Sequence, residues 1–209
     1  MSSFPVHRDD APLAYRCHGP RDGLPVLMLH GYPESSYMWR HLLGPVGEAG
    51  FRAIAADLAN FGDSPLVRPG NWERQIERVE LLRRALAIDR FVLVVHDWGG
   101  LIGLRWVLER ELELAGLVVS CTGFFSDGRW HGLAETMRTP DRGEELMEAL
   151  TRDLFAQALR SEWQGFDDAT IDRVTAAYAG TAAQTPILTN GLLRNAHAIV
   201  LSLGGRVTF

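Results

Sequence analysis

The sequence predicts an α/β protein, a mostly parallel sheet flanked by helices with a helical lobe over one edge. Three observations carry that expectation. Apolar runs of strand length alternate with segments of helical period between residues 13 and 121. One of those runs passes into a helix with almost no loop, at His96-Asp97-Trp98-Gly99-Gly100. After Gly123 the alternation stops and short helical patterns take over. Strands alternating with helices imply a parallel sheet joined by right-handed crossovers.

The elements follow in order. Residues 13–19 read as a first short strand, closed by a Pro20–Gly23 turn. Residues 25–30 are a continuous apolar run, the pattern of a strand buried on both faces. Residues 35–49 read as a helix capped by Ser35 or Ser36 and closed at Gly50. Residues 51–59 form the next strand. Over 71–88, Trp72, Ile76, Val79, Leu82 and Leu86 recur at helical spacing behind a capping Asn71. Residues 91–96 are a β-branched strand, 99–112 a helix starting on glycines, and 115–121 another buried strand. The expected organisation is an α/β core over 1–123, a helical cap over 124–200, with 142–159 as its clearest helical pattern, and an atypical end over 201–209. Ligands of open α/β sheets bind at the carboxyl edge, beneath such a cap.

Composition excludes several classes. The 209 residues carry a net charge of −5 with no Lys/Arg stripe, so no nucleic-acid partner is expected. No apolar stretch is long enough to span a bilayer, and the first residues lack the pattern of a signal peptide, so no membrane partner is expected. Cys17 and Cys121 lie far apart, which fits a reduced, cytoplasmic setting. No spaced His/Cys cluster and no phosphate-cradling glycine loop occurs, so neither metal nor organic cofactor is implied.

The chemistry concentrates at Asp97. A residue between a buried strand and a helix must adopt a strained backbone, with small neighbours to let the two elements approach. Gly99 and Gly100 supply that room. The helix N-terminus behind Asp97 favours a negative charge. His30-Gly31-Tyr32-Pro33 follows an earlier strand, continues as Glu34-Ser35-Ser36-Tyr37-Met38-Trp39-Arg40, and is joined by Asp57-Leu58-Ala59-Asn60-Phe61-Gly62-Asp63-Ser64.

In this order and spacing, the three segments over roughly 5–135 resemble the haloalkane dehalogenases and epoxide hydrolases of the α/β-hydrolase fold. The resemblance implies that Asp97 is a nucleophile. It implies an oxyanion hole built from the backbone N–H groups of Trp98 and Tyr32. It further implies that the Trp98 indole donates to a departing halide or substrate oxygen, with Trp130 and Trp163 as candidate second donors and Tyr178 as a candidate epoxide-binding hydroxyl. His30 and His96 read as structural, and Asp57 and Asp63 as loop-ordering carboxylates. A small-molecule substrate is the expected partner.

Within the family the signals divide. Val95 is dehalogenase-like, whereas Tyr32 followed by Pro33-Glu34 is epoxide-hydrolase-like. Fluoroacetate dehalogenases, a third relative, carry Arg where this chain has Trp98. The family also places an acid and a histidine after the nucleophile. Only His131 and His197 follow Asp97, in contexts unlike the family's terminal histidine, and Val119–Gly123 offers no carboxylate. Relatives are longer, and the expectation is a chain lacking the final strands. The competing expectation is a catalytically incomplete, ligand-binding protein of the same fold. Oligomeric state is not legible.

Overall fold

The computed structural model describes residues 4–8, 11–123, 132–162 and 167–182. Six strands form one sheet: β1 (Val6–His7), β2 (Tyr15–His18), β3 (Pro25–Leu29), β4 (Arg52–Ala56), β5 (Phe91–His96) and β6 (Leu114–Ser120). Their order across the sheet is β1-β2-β4-β3-β5-β6. The first two strands pair antiparallel, and β4, β3, β5 and β6 run parallel. The parallel strands are joined by α1 (Arg40–Glu48), α2 (Trp72–Ala85) and α3 (Trp98–Arg110).

Side-chain alternation along each strand divides the core between the two faces of the sheet. Leu27, Leu29, Ile54, Phe91, Leu93 and Val95 point to the face covered by α2 and α3, where Trp72, Val79, Leu82 and Trp106 are fully buried. Val26, Met28, Ala53 and Ala55 point to the other face, covered by Trp39 and Leu43. The periodic residues of 71–88 thus bury the stripe that the sequence marks, and Asn71 caps α2 by accepting from Arg74 N–H at 3.1 Å. Ser35 caps a short 3-10 turn (Ser36–Trp39) that leads into α1.

Beyond Gly123 the described residues form α4 (Gly132–Arg138), α5 (Arg142–Ala149), α6 (Arg152–Glu162) and α7 (Asp168–Ala182). The helical stretch expected over 142–159 is two helices, because the chain turns extended at Leu150. One expectation fails outright: 115–121 is not buried. Leu117, Val118 and Val119 are 41–52% exposed, because β6 is the outer strand of the sheet among the described residues. Strand β1, two residues long, gave no periodic signal at all.

The chain moves from β3 to β4 on one side and then back past β3 to β5 on the other. The carboxyl ends of β3 and β5 therefore lie side by side at the point where the strand order reverses, the place where open α/β sheets form a ligand crevice.

Candidate active site

Asp97 occupies the corner between β5 and α3. Its φ of +49° and ψ of −121° lie in a region that residues with a Cβ rarely adopt, a strain of roughly 1–3 kcal/mol that the surroundings must hold. Three bonds hold it. The Asp97 carbonyl accepts from Thr122 Oγ1 at 2.6 Å and from Gly100 N–H at 3.0 Å, and the Asp97 N–H donates to the Ser120 carbonyl at 3.3 Å. The helix can start this close to the sheet because residue 99 is glycine: a Cβ there would stand 2.5 Å from the His30 carbonyl oxygen.

The turn after β3 lies against the carboxylate. A Cβ on Gly31 would stand 2.5 Å from Asp97 Oδ1, so only glycine admits this approach. The next residue, Tyr32, donates its backbone N–H to Asp97 Oδ1 at 2.9 Å. One carboxylate oxygen is therefore already held by a main-chain donor, and the Trp98 N–H lies at the first position of α3 beside it.

His30 and Asp57 fix this turn from behind. His30 is fully buried, and burial lowers its pKa against the opposing pull of Asp57. Its Nε2 accepts from Leu58 N–H at 2.9 Å, and its Nδ1 donates to the Gly31 carbonyl at 2.7 Å. Those two partners require the neutral ring with its proton on Nδ1. The buried Asp57 accepts from Ser36 N–H at 2.5 Å and Asp63 N–H at 3.0 Å, and lies 3.6 Å from Arg16.

The wall above the site is apolar. Trp98 stacks on Trp72 with ring centroids 5.1 Å apart. On its other side Trp98 packs with Tyr32 against Met137 of α4, joined by Leu146, Leu150 and Phe155. The structure thus brings together Asp97, Trp98 and Tyr32. Trp130 and Trp163, with His131 and His197, lie outside the described residues. Tyr178 falls on α7, but its side chain is outside the described ones.

Glu34 was named in the sequence only as part of a motif. Here its side chain is 17% exposed, and its Oε2 stands 3.6 Å from His96 Nδ1. Both atoms are buried and neither has a hydrogen-bond partner, a condition that costs about 1–3 kcal/mol per group. Burial, with a smaller push from the Asp97 carboxylate and a counter-pull from Arg40, raises the Glu34 pKa to about 7. The available signal was position: Glu34 follows the turn that touches the nucleophile, and His96 precedes the nucleophile itself.

Comparison with known proteins follows this geometry. Residues 25–165 match the profile of the alpha/beta hydrolase fold family. A haloalkane dehalogenase from Mycobacterium marinum is 38% identical over 118 residues, 55% of this chain and 39% of that protein. A cis-3-alkyl-4-alkyloxetan-2-one decarboxylase from Xanthomonas campestris pv. campestris is 33% identical over 128 residues, 56% of this chain and 42% of that protein. The match therefore spans about two-fifths of the length of these relatives. Among solved structures, the epoxide hydrolase CorEH superposes with a TM-score of 0.76 at 18% identity, covering 96% of this chain and 78% of that one. At that identity the superposition speaks for the fold. No helix among the described residues is long and apolar enough to cross a membrane.

Proposed function

The chain belongs to the alpha/beta hydrolase fold family, and from that premise we propose a hydrolase of small apolar electrophiles, alkyl halide or epoxide, of the haloalkane dehalogenase and epoxide hydrolase-like branch, with Asp97 as nucleophile. One observation carries the reading: a carboxylate sits at a strained strand-to-helix corner with a backbone N–H already on one oxygen, 2.9 Å away.

A carboxylate acylates poorly but displaces a leaving group from saturated carbon, giving an enzyme-bound alkyl ester. Asp97 Oδ2 forms the new bond to carbon, and the carbon–halogen or carbon–oxygen bond breaks, its electron pair leaving with the halide or alkoxide. Oδ1, held by Tyr32, remains as the ester carbonyl oxygen. When water then adds to the ester carbon, negative charge develops on that same oxygen. A positioned donor there, with the Trp98 N–H as its companion, is the device that stabilises such an intermediate. The Trp98, Met137 and Phe155 wall suits an apolar substrate body. Trp98 is the candidate indole donor to the leaving group, with Trp130, Trp163 and Tyr178 as further candidates.

Incubation with n-butyl bromide, read by intact mass and by bromide release, tests this. The expected result is a butyl adduct or turnover in the wild-type chain and neither in Asp97→Asn. Saturable binding of the halide that is indifferent to Asp97→Asn, with no covalent product and no bromide, would establish the non-catalytic binding protein instead.

A further inference from the structure

We propose that the pocket between the 34–41 segment of the core and α7 binds a small organic acid, a monocarboxylate with an apolar body of about benzoate's size, gripped by Arg40 and Arg173. The site is separate from the Asp97 cleft, and it goes beyond the reaction proposed above.

The pocket has a volume of about 200 Å³ and is lined by Glu34, Tyr37, Met38, Arg40, His41 and Val174. A dry cavity of about 150 Å³ admits benzene, so this one has room for a ring or short chain that carries a carboxylate. Met38 and Val174 offer the apolar wall for that body.

Two cations converge beside it. Arg40, the first residue of α1, has its guanidinium carbon 4.4 Å from the centroid of the Tyr37 ring. The guanidinium carbon of Arg173, on α7, stands 5.6 Å from the same centroid. A ring attracts each cation, but it carries no net charge to offset two of them. The acidic residues of α7 pair elsewhere: Asp172 with Arg152 at 3.7 Å and Asp168 with Arg160 at 3.2 Å. Neither Arg40 nor Arg173 has an ion pair among the described residues.

The hydrogen bonds of Arg40 point the same way. Its Nη1 donates to the Tyr37 carbonyl at 3.1 Å. Its Nε is buried and has no partner, a condition that buried donors seldom keep. The guanidinium edge that carries Nε and Nη2 can meet both oxygens of a carboxylate with two parallel bonds. A carboxylate seated there satisfies Nε and supplies the charge that the two arginines lack. Phosphate has the charge but would set a strongly hydrated anion against Met38 and Val174.

The other ionisable groups leave room for an anion. Burial first, then the Asp97 charge, raises the Glu34 pKa to about 7 against the counter-pull of Arg40, so Glu34 is mostly protonated at about pH 6. Asp167 is occupied by Thr170 N–H at 2.8 Å, and Arg40 is the weakest influence on it. His41 borders the pocket as a further donor. An acid held by both arginines would fasten α7 to the start of α1.

The experiment titrates the full chain with benzoate by calorimetry at about pH 6, where Glu34 carries its proton. Benzamide, which keeps the shape without the charge, and inorganic phosphate, which keeps the charge without the ring, are titrated beside it. Benzoate is expected to saturate with a Kd of about 1 mM or tighter, and the other two to bind at least ~10-fold more weakly. Arg40→Gln is expected to weaken benzoate at least ~10-fold, the value of a charge-assisted hydrogen bond. Arg173→Gln, at an exposed position, is expected to weaken it about 2–5-fold. Val174→Trp fills the pocket and is expected to abolish binding. If Arg40→Gln does not fold, Arg173→Gln and Val174→Trp carry the test. No saturable benzoate binding overturns the proposal. Equal benzoate affinity in wild type, Arg173→Gln and Val174→Trp puts the acid elsewhere and overturns it as well. Benzamide or phosphate binding as tightly as benzoate overturns the ligand class. Binding is read directly, so none of these outcomes depends on what Asp97 does.

Discussion

Gly31→Ala is a sharp test of how the site is built. An added Cβ would stand 2.5 Å from Asp97 Oδ1 and 2.8 Å from Cγ, distances that real side chains do not tolerate. The Asp97 backbone has little freedom to retreat, because Thr122, Gly100 and Ser120 all bind it. Either the turn shifts, an overpacking cost of about 1–3 kcal/mol, or the carboxylate rotates off Tyr32 and gives up a charge-assisted bond of about 1.5–3 kcal/mol. The molecule takes the cheaper route, so about 2 kcal/mol is expected rather than the sum. For a chain of this length that lowers Tm by roughly 4–8 °C. The effect on chemistry is larger, since losing one oxyanion donor costs about 10²–10³ in rate. Thermal unfolding by circular dichroism and the rate at which the butyl adduct is lost after excess n-butyl bromide is removed are the two readouts. Gly132→Ala is the control, because a Cβ there meets nothing within 4 Å. A Gly31→Ala chain that melts and reacts like Gly132→Ala would refute the close-approach argument.

Two further predictions concern the frame. Glu80 accepts from Arg83, Arg84 and the buried Trp106 Nε1, and these bonds, Arg83 first, hold its pKa at about 2. Its folded pKa lies below the unfolded value, so its stabilisation is present above about 4.5 and is lost as pH falls toward about 2. Glu80→Gln should therefore lose up to about 3 kcal/mol in urea unfolding near neutral pH, with the gap to wild type closing in acid; a gap independent of pH would contradict this. Asn71→Ala removes the cap of α2 and should cost about 1 kcal/mol in the same assay, and an unchanged midpoint would deny the cap its role.

The core strands were legible because burial writes itself into composition. A strand covered on both faces is apolar throughout, as at Val26–Leu29 and Phe91–Val95. The stripe of α2 was equally plain. At Leu114–Ser120 the same signal misled, since an apolar run records what a strand is built to pack against, and among the described residues that strand lies at the edge. Strand β1 has two residues, too few for any period to develop. Asp97 could be singled out because a sharp corner demands glycines, and glycines are visible; Tyr32 and Trp98 were marked only by the resemblance of the motifs that hold them. The approach of Glu34 to His96 could not be found that way. It joins the turn after β3 to the end of β5, 62 positions apart in sequence, and depends on which strands are neighbours.

That dependence has a practical side. The corner, the turn at 30–36, the 57–64 loop and β2 are remote along the chain, yet they are braced together through His30, Asp57 and Arg16. An unfolded polypeptide carries at position 97 only an ordinary solvated carboxylate. The reactivity proposed for it would come into being when the last of those braces closes. Alkylation at that position would therefore act as a chemical time stamp for completed assembly, able to score native molecules one by one during refolding or release from a ribosome.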